Sequence, residues 1–111
     1  MKTEREMLEF AAKACGIEQT GYSDVIGVQY VNGSEDSPYT DYFNPLNESK
    51  DCAAMCAKLE IHTQWWNHSV ACISNSGNDK RDVKHDGTDA GKEAAWRYAA
   101  TIVAAKIGGM K

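Results

Sequence analysis

Apolar positions recur along this chain in two periods, and the changes of period mark its elements. The last element is the clearest. Asp89 to Ile107, DAGKEAAWRYAATIVAAKI, contains no proline and is rich in alanine and long side chains, which predicts an almost uninterrupted helix. On a 3.6-residue wheel Ala95, Tyr98, Ala99, Ile102 and Val103 form one apolar face, and Trp96, Ala100 and Ile107 widen it. Glu93, Arg97, Thr101 and Ala104 make a narrow stripe opposite. An arc of roughly half the circumference exceeds what a surface helix needs. It predicts a helix that is sandwiched, or shared with a second subunit, and so a homo-oligomer, because a small chain has little else to cover it.

The other elements follow from shorter patterns. Thr3-Glu4-Arg5-Glu6 is a capping box opening a helix to about Cys15, with Met7, Leu8, Ala11, Ala14 and Cys15 as its apolar stripe and Gly16 as its stop. The β-formers Val25, Ile26, Val28, Tyr30 and Val31 predict one strand over Asp24–Val31, ended by the turn signal Asn32-Gly33. Residues 33–46 read as a long polar loop carrying Pro38 and Pro45. A second helix starts at Asn47 or Ser49 and buries Cys52, Met55, Cys56 and Leu59, at spacings i, i+3, i+4 and i+7. Ile61–Trp66 and Ser69–Ser74 form a hairpin about Asn67-His68. Residues 75–88 are a second loop, Thr88 or Asp89 caps the last helix, and Gly108-Gly109 ends it. The order α, β, loop, α, β, β, α predicts a single α+β domain, 1–111, with a small antiparallel sheet.

Composition narrows the function classes. The 111 residues are 42% hydrophobic and 25% charged, an ordinary globular balance. Net charge is −4, and Lys80, Arg81 and Lys84 alternate with Asp79, Asp82 and Asp86, so no duplex nucleic acid is expected as a partner. No run approaches the roughly 20 apolar residues of a membrane span, and MKTEREMLEF lacks the apolar core of a signal peptide. A soluble intracellular protein with no membrane partner and reduced cysteines is expected.

Chemical motifs are sparse. Cys52 and Cys56 share a helix face with Met55 and Leu59, and their spacing lacks the open turn of a zinc knuckle, so they read as core thiols. Cys72 sits in the apolar run VACIS. Nucleophile-elbow, P-loop and zincin motifs are missing, and the His85-Asp86 pair consists of sequence neighbours, which rarely act together. No catalytic residue, metal site or cofactor is assigned, and a non-enzymatic protein is expected. Trp65-Trp66 is more informative. Adjacent strand residues point to opposite faces, so one indole enters the core and the other meets solvent, a helix or a ligand. One reading covers both sheet faces with helices. The other makes an aromatic platform of Trp65 and Trp66 that, with Asn67, His68 and Arg97, stacks a base and holds a phosphate. Tyr39, Asp41, Tyr42 and Phe43 in the first loop have the composition of a protein-contact loop, the alternative being a solvated connection.

A set of soft motifs adds a resemblance. Phe43-Asn44-Pro45-Leu46, Asp51-Cys52-Ala53 with Leu59 and Ile61, Trp65-Trp66, Val70-Ala71-Cys72, and Ala94-Ala95-Trp96-Arg97 through Ala104-Ala105-Lys106-Ile107-Gly108 together resemble the phage ABA-sandwich domain family. The opening TEREMLEFAAKACGI is similar to the start of many such phage reading frames. The resemblance spans most of the chain and lies in core and capping positions. It implies an α/β/α-type sandwich, a phage or prophage origin and action in the host cytoplasm. It points to a counter-defence protein that sequesters a small anionic nucleotide-type host immune signal. Two alternatives stand beside it: an inhibitor docking on a host defence protein, anti-CRISPR-like, through the acidic tyrosine-bearing loop, and a virion or other accessory protein.

Overall fold

The computed structural model describes residues 3–111; Met1 and Lys2 of the expected domain 1–111 lie outside the described residues. Three helices, α1 (Glu4–Ala14), α2 (Ser49–Leu59) and α3 (Asp89–Ile107), alternate with six strands. These are β1 (Gln19–Ser23), β2 (Gly27–Gly33), β3 (Pro38–Phe43), β4 (His62–Trp66), β5 (Ser69–Ile73) and β6 (Lys80–Lys84). The strands form two antiparallel three-stranded sheets, sheet A in the order β1-β2-β3 and sheet B in the order β4-β5-β6.

Local chemistry sets the helix ends. Thr3 Oγ1 accepts from the Glu6 amide at 3.1 Å, and Thr88 Oγ1 accepts from the Gly91 amide at 3.0 Å, each satisfying an amide with no partner inside the helix. Helix α2 begins differently. Its N-cap is Glu48, whose side chain makes no cap bond. The start is fixed from behind, where the Asn44 carbonyl accepts from the amides of Asn47 and Glu48 and the Asp51 carboxylate accepts from the Asn44 amide at 3.0 Å.

Helix α3 is the middle of the molecule. One side packs on β5 and β6, the other on α1 and α2, and α1 in turn covers β1 and β2. Ala99, Ala100, Val103 and Ala104 share one core with Leu8, Ala11 and Ala12 of α1, Cys52 and Met55 of α2, Val28 and Phe43 of sheet A, and Cys72 of sheet B. The α+β class, the antiparallel pairing and the long C-terminal helix are as the sequence predicts. The strands divide into two sheets rather than one, and the helices lie between them. The layers run sheet B, α3, α1 with α2, sheet A along a body of 48 × 28 × 27 Å. Gly108 allows the tight approach of α3 to α1: a Cβ there would run into the Phe10 carbonyl.

Four expectations change. Thr101 and Ala104, placed on the polar stripe of α3, are fully buried, and Thr101 satisfies its hydroxyl by donating to the Arg97 carbonyl at 2.7 Å. Tyr98 and Ile107, placed on the apolar face, are exposed. The wide arc is thus covered from within the chain, so its width does not require a second subunit. The strand expected over Asp24–Val31 begins at Gly27 instead. Asp24, Val25 and Ile26 form the β1–β2 turn, where Ser23 Oγ accepts from the Val25 and Ile26 amides and Val25 is 84% exposed. Its β-branched residues imitate a strand, while β1, QTGYS, carries little apolar signal. The loop over 33–46 contains β3, paired with β2 from Val28↔Phe43 to Gly33↔Pro38. The loop over 75–88 contains β6, paired with β5 from Ser69↔Lys84 to Ile73↔Lys80. Both are edge strands, whose outer positions are polar because they meet water.

The central place of α3 predicts steep steric sensitivity. Gly108→Ala and Ala104→Leu should each cost about 1–3 kcal/mol in urea denaturation, as overpacking does. The exposed Ala94→Leu on the same helix should leave the midpoint within about 0.5 kcal/mol of wild type. Equal midpoints for all three variants would place the core elsewhere.

Candidate functional site

Sheet B has two unlike faces. By strand alternation, Thr63, Trp65, Val70, Cys72, Arg81 and Val83 point toward α3. Val70 and Cys72 are fully buried there, and the Arg81 guanidinium lies over the Tyr98 ring at 5.8 Å. The opposite face carries three rows running across the strands: Trp66, Ser69 and Lys84; Gln64, Ala71 and Asp82; His62, Ile73 and Lys80. Ala71, small and central in this face, is buried, while Gln64, Trp66, Lys80, Asp82 and Lys84 around it are exposed. An open trough of about 650 Å³ crosses it, lined by Trp66, Ser69, Lys80, Asp82 and Lys84 with the edge of Val83. Trp66 is 50% exposed, an unusual cost for an indole with no covering layer. The face holds two lysines against one aspartate in a protein of net charge −4, and the Lys80–Asp82 pair is loose at 3.8 Å. Trp66 and Lys84 sit in one row, two strand spacings or roughly 10 Å apart.

The structure redistributes the residues singled out by sequence. Trp65 does not enter the core: it is 49% exposed, with its ring 6.1 Å from that of His85. Neither indole is buried, because α3 lies over β5 and β6 and leaves the edge strand β4 beyond it. Asn67 and His68 form the exposed turn beside Trp66, where the His68 carbonyl accepts from the His85 amide at 3.0 Å. Arg97 is committed elsewhere. Its Nε donates to the Leu46 carbonyl at 3.0 Å and its Nη1 to Ser49 Oγ at 2.8 Å, with Glu93 at 4.0 Å, so it braces α3 against the start of α2. Lys84 is the cation in the row of Trp66, and Lys80 lies two rows away at the other end of β6, along the same trough. Read as a loop, their run of mixed charge hides them; read as a strand, K-x-D-x-K places both lysines on one face.

The residues expected to form a protein-contact loop lie on β3 and divide between the faces of sheet A. Tyr39, Asp41 and Phe43 alternate with Tyr42. Phe43 is buried in the core. Asp41 accepts from the Tyr42 amide at 2.8 Å, from Asn32 Nδ2 at 3.2 Å and from the Tyr30 hydroxyl at 3.2 Å, and these bonds hold its carboxyl below the usual range. Tyr39 remains exposed, while Tyr42 is half-buried with its hydroxyl 3.4 Å from Gln29 Nε2.

Three of the four cysteines, Cys15, Cys52 and Cys72, are buried packing groups, whereas Cys56 is half-buried and its bond with Cys52 holds its thiol below the usual range. Cys52 is hydrogen-bonded to Cys56, which together with burial pushes its thiol well above the usual range. Burial pushes Cys15 up as well, and pushes Cys72 up to about 11 against the opposing bond from Thr63. Thiols held protonated are poor nucleophiles and poor ligands. Among the described residues no three His, Cys, Asp or Glu side chains converge as a metal would require. His85 and Asp86 serve the turn into α3: His85 Nδ1 accepts from the Gly87 amide, and Asp86 accepts from the Thr88 hydroxyl and amide. Among the described residues no helix is long and apolar enough to cross a membrane. Comparison of the chain with family models, curated proteins and solved structures returned no match, so the geometry of sheet B carries the functional argument.

The raised thiols predict a pH window. Unfolded cysteine ionises near 9.0, whereas folded Cys72 holds its proton to about 11. Unfolding therefore releases protons between these values, so this contribution to stability is complete below about pH 9 and is lost as pH rises toward 11. The urea midpoint should fall across that window, and fall less in Cys72→Ala. An identical fall in both proteins would show that Cys72 titrates normally.

Proposed function

We propose that this is a non-enzymatic binding protein that takes a nucleotide-type anionic ligand on the outer face of sheet B. The observation that carries this reading is the half-exposed Trp66 in one row with Ser69 and Lys84, on an uncovered face whose charge opposes that of the whole protein. An indole offers a stacking surface to any base, at about 1–3 kcal/mol per base. Lys84 and Lys80 meet the phosphate as flexible point charges, suited to an open trough rather than a shaped cradle. Ser69 can donate to or accept from the sugar between them, and Asp82 accepts from a hydroxyl or an exocyclic amine.

The resemblance to small phage proteins supports setting this activity in the cytoplasm of an infected bacterium, where withdrawing a nucleotide-type immune signal would act as counter-defence. Docking on a host defence protein through the Tyr39–Phe43 segment has less support, since Phe43 belongs to the core and Asp41 is engaged by Tyr30 and Asn32.

Calorimetry and tryptophan quenching against a panel of nucleoside mono- and triphosphates and a short single-stranded oligonucleotide test the proposal. Trp66→Ala should weaken binding by about 5- to 150-fold, the equivalent of one lost stack. Lys84→Gln should weaken it less and flatten its salt dependence. Arg97→Lys should leave binding unchanged while lowering stability by about 1–3 kcal/mol, because an ammonium cannot reproduce both bonds of the guanidinium. Wild-type protein that neither binds nor is quenched by any probe overturns the proposal, and so does Trp66→Ala with unchanged affinity.

A further inference from the structure

Two open three-stranded sheets leave four edge strands, β1, β3, β4 and β6. Along each edge, alternate residues turn their amide and carbonyl groups away from the sheet, a template for another strand. Three of these edges carry devices that discourage pairing. The β1 ladder shifts register between Gln19 and Gly21. Helix α1 also reaches β1, with Arg5 over the Tyr22 ring at 4.9 Å and Glu9 accepting from Gln19 at 2.6 Å. β3 opens with Pro38, which has no amide proton, and carries Asp41. β6 is KRDVK, charged at four of its five positions.

β4 has none of these. HTQWW contains no lysine, acid, proline or glycine, and its ladder with β5 runs without a register shift from His62↔Ile73 to Trp66↔Ser69. Four of its five residues are exposed. Among the described residues, no backbone hydrogen bond reaches β4 from outside its pairing with β5.

We infer that β4 pairs with a second copy of itself, joining two B sheets into one six-stranded antiparallel sheet. A two-fold axis through Gln64 uses the whole strand. It sets His62 opposite Trp66 of the partner subunit, Thr63 opposite Trp65 of the partner subunit, and Gln64 opposite the partner's Gln64. Aromatic pairs with imidazole and with a β-branched neighbour are favourable cross-strand contacts, and two carboxamides can exchange hydrogen bonds. No charge meets its like. The same operation on β6 would centre on Asp82, set it against its own copy and place Lys80 opposite the partner's Lys84 twice, an arrangement that like charges disfavour. Charge pattern therefore selects β4 for self-association and excludes β6. Pairing also gives each indole a cross-strand neighbour on the open side of β4, where its own sheet ends. The inference stands apart from the ligand reading, although pairing would bring two Trp66 platforms onto one continuous face.

Light scattering and sedimentation across a concentration series test it. Wild type should reach about twice the 12.2 kDa chain mass, in a concentration-dependent way. Gln64→Lys, which sets two ammonium groups against each other at an otherwise exposed position, should give a monomer with an unchanged circular dichroism spectrum. Gln64→Cys, oxidised with copper–phenanthroline, should cross-link to its own copy as a reducible dimer, whereas Lys80→Cys should not. Wild type that stays monomeric at every concentration overturns the inference. So does a Gln64→Lys protein that keeps the wild-type mass, or a dimer that Gln64→Cys fails to cross-link.

Discussion

Helix α3 is buried on both sides by residues that mostly end at Cβ. Ala95, Ala99, Ala100, Ala104 and Ala105 are all buried, and Gly108 meets the Phe10 carbonyl where the helix leaves α1. Such a seam gains little from any one side chain. Its stability comes from many short contacts that form only when the helices approach closely. This constraint decides the order of the layers. A helix needing cover on two sides takes sheet B on one and the α1–α2 pair on the other, and sheet A then closes over α1. With helices filling the middle, the sheets are left on the outside, each with one bare face.

The bare faces are open to chemistry, and most polar groups of the interior are already spent, with His85 Nε2 the buried polar atom left without a hydrogen-bond partner among the described residues. Arg97 fixes α3 to the start of α2, Asp51 fixes the end of β3 to the same helix, and Asp86 with Thr88 starts α3. The buried thiols are held protonated by their surroundings. Against this background Trp66, Lys80 and Lys84 stand out because the fold itself gives them no partner of comparable strength: the nearest carboxylate to either lysine is Asp82 at 3.8 Å from Lys80. The proposed platform and the proposed self-pairing edge both arise from the same cause, that α3 covers β5 and β6 and stops short of β4.

What was legible in the sequence was whatever local chemistry fixes. The Thr3 capping box, the Thr88 cap, the long proline-free run of α3 and the two-residue Asn67-His68 turn each act within a few residues, and each appears where the pattern puts it. What escaped depends on pairing across the chain. β3 and β6 look like loops because edge strands present polar side chains to water, and only the ladders of β2 and β5 make them strands. Thr101 looked like a surface residue because a wheel cannot show a hydroxyl bonding back to Arg97 one turn earlier. Alternation separates the two indoles of Trp65-Trp66 correctly, yet says nothing of whether either face of that strand lies under a helix. The lysines of the same face are hidden in the sequence for the reason that β6 resembles a loop.

The separation of a close-packed middle from bare sheet faces has an evolutionary consequence. Exchanging Trp66, Lys84, Val31 or Thr40 alters what the molecule shows to its surroundings without asking any neighbour to move. Exchanging Ala100 or Gly108 alters whether the chain can close at all. A lineage built on this plan can revise its bare sheet faces step by step while the alanine seam stays fixed. Related chains should therefore look most alike where they are dullest, in the small residues of α3, and least alike on the bare faces of the two sheets.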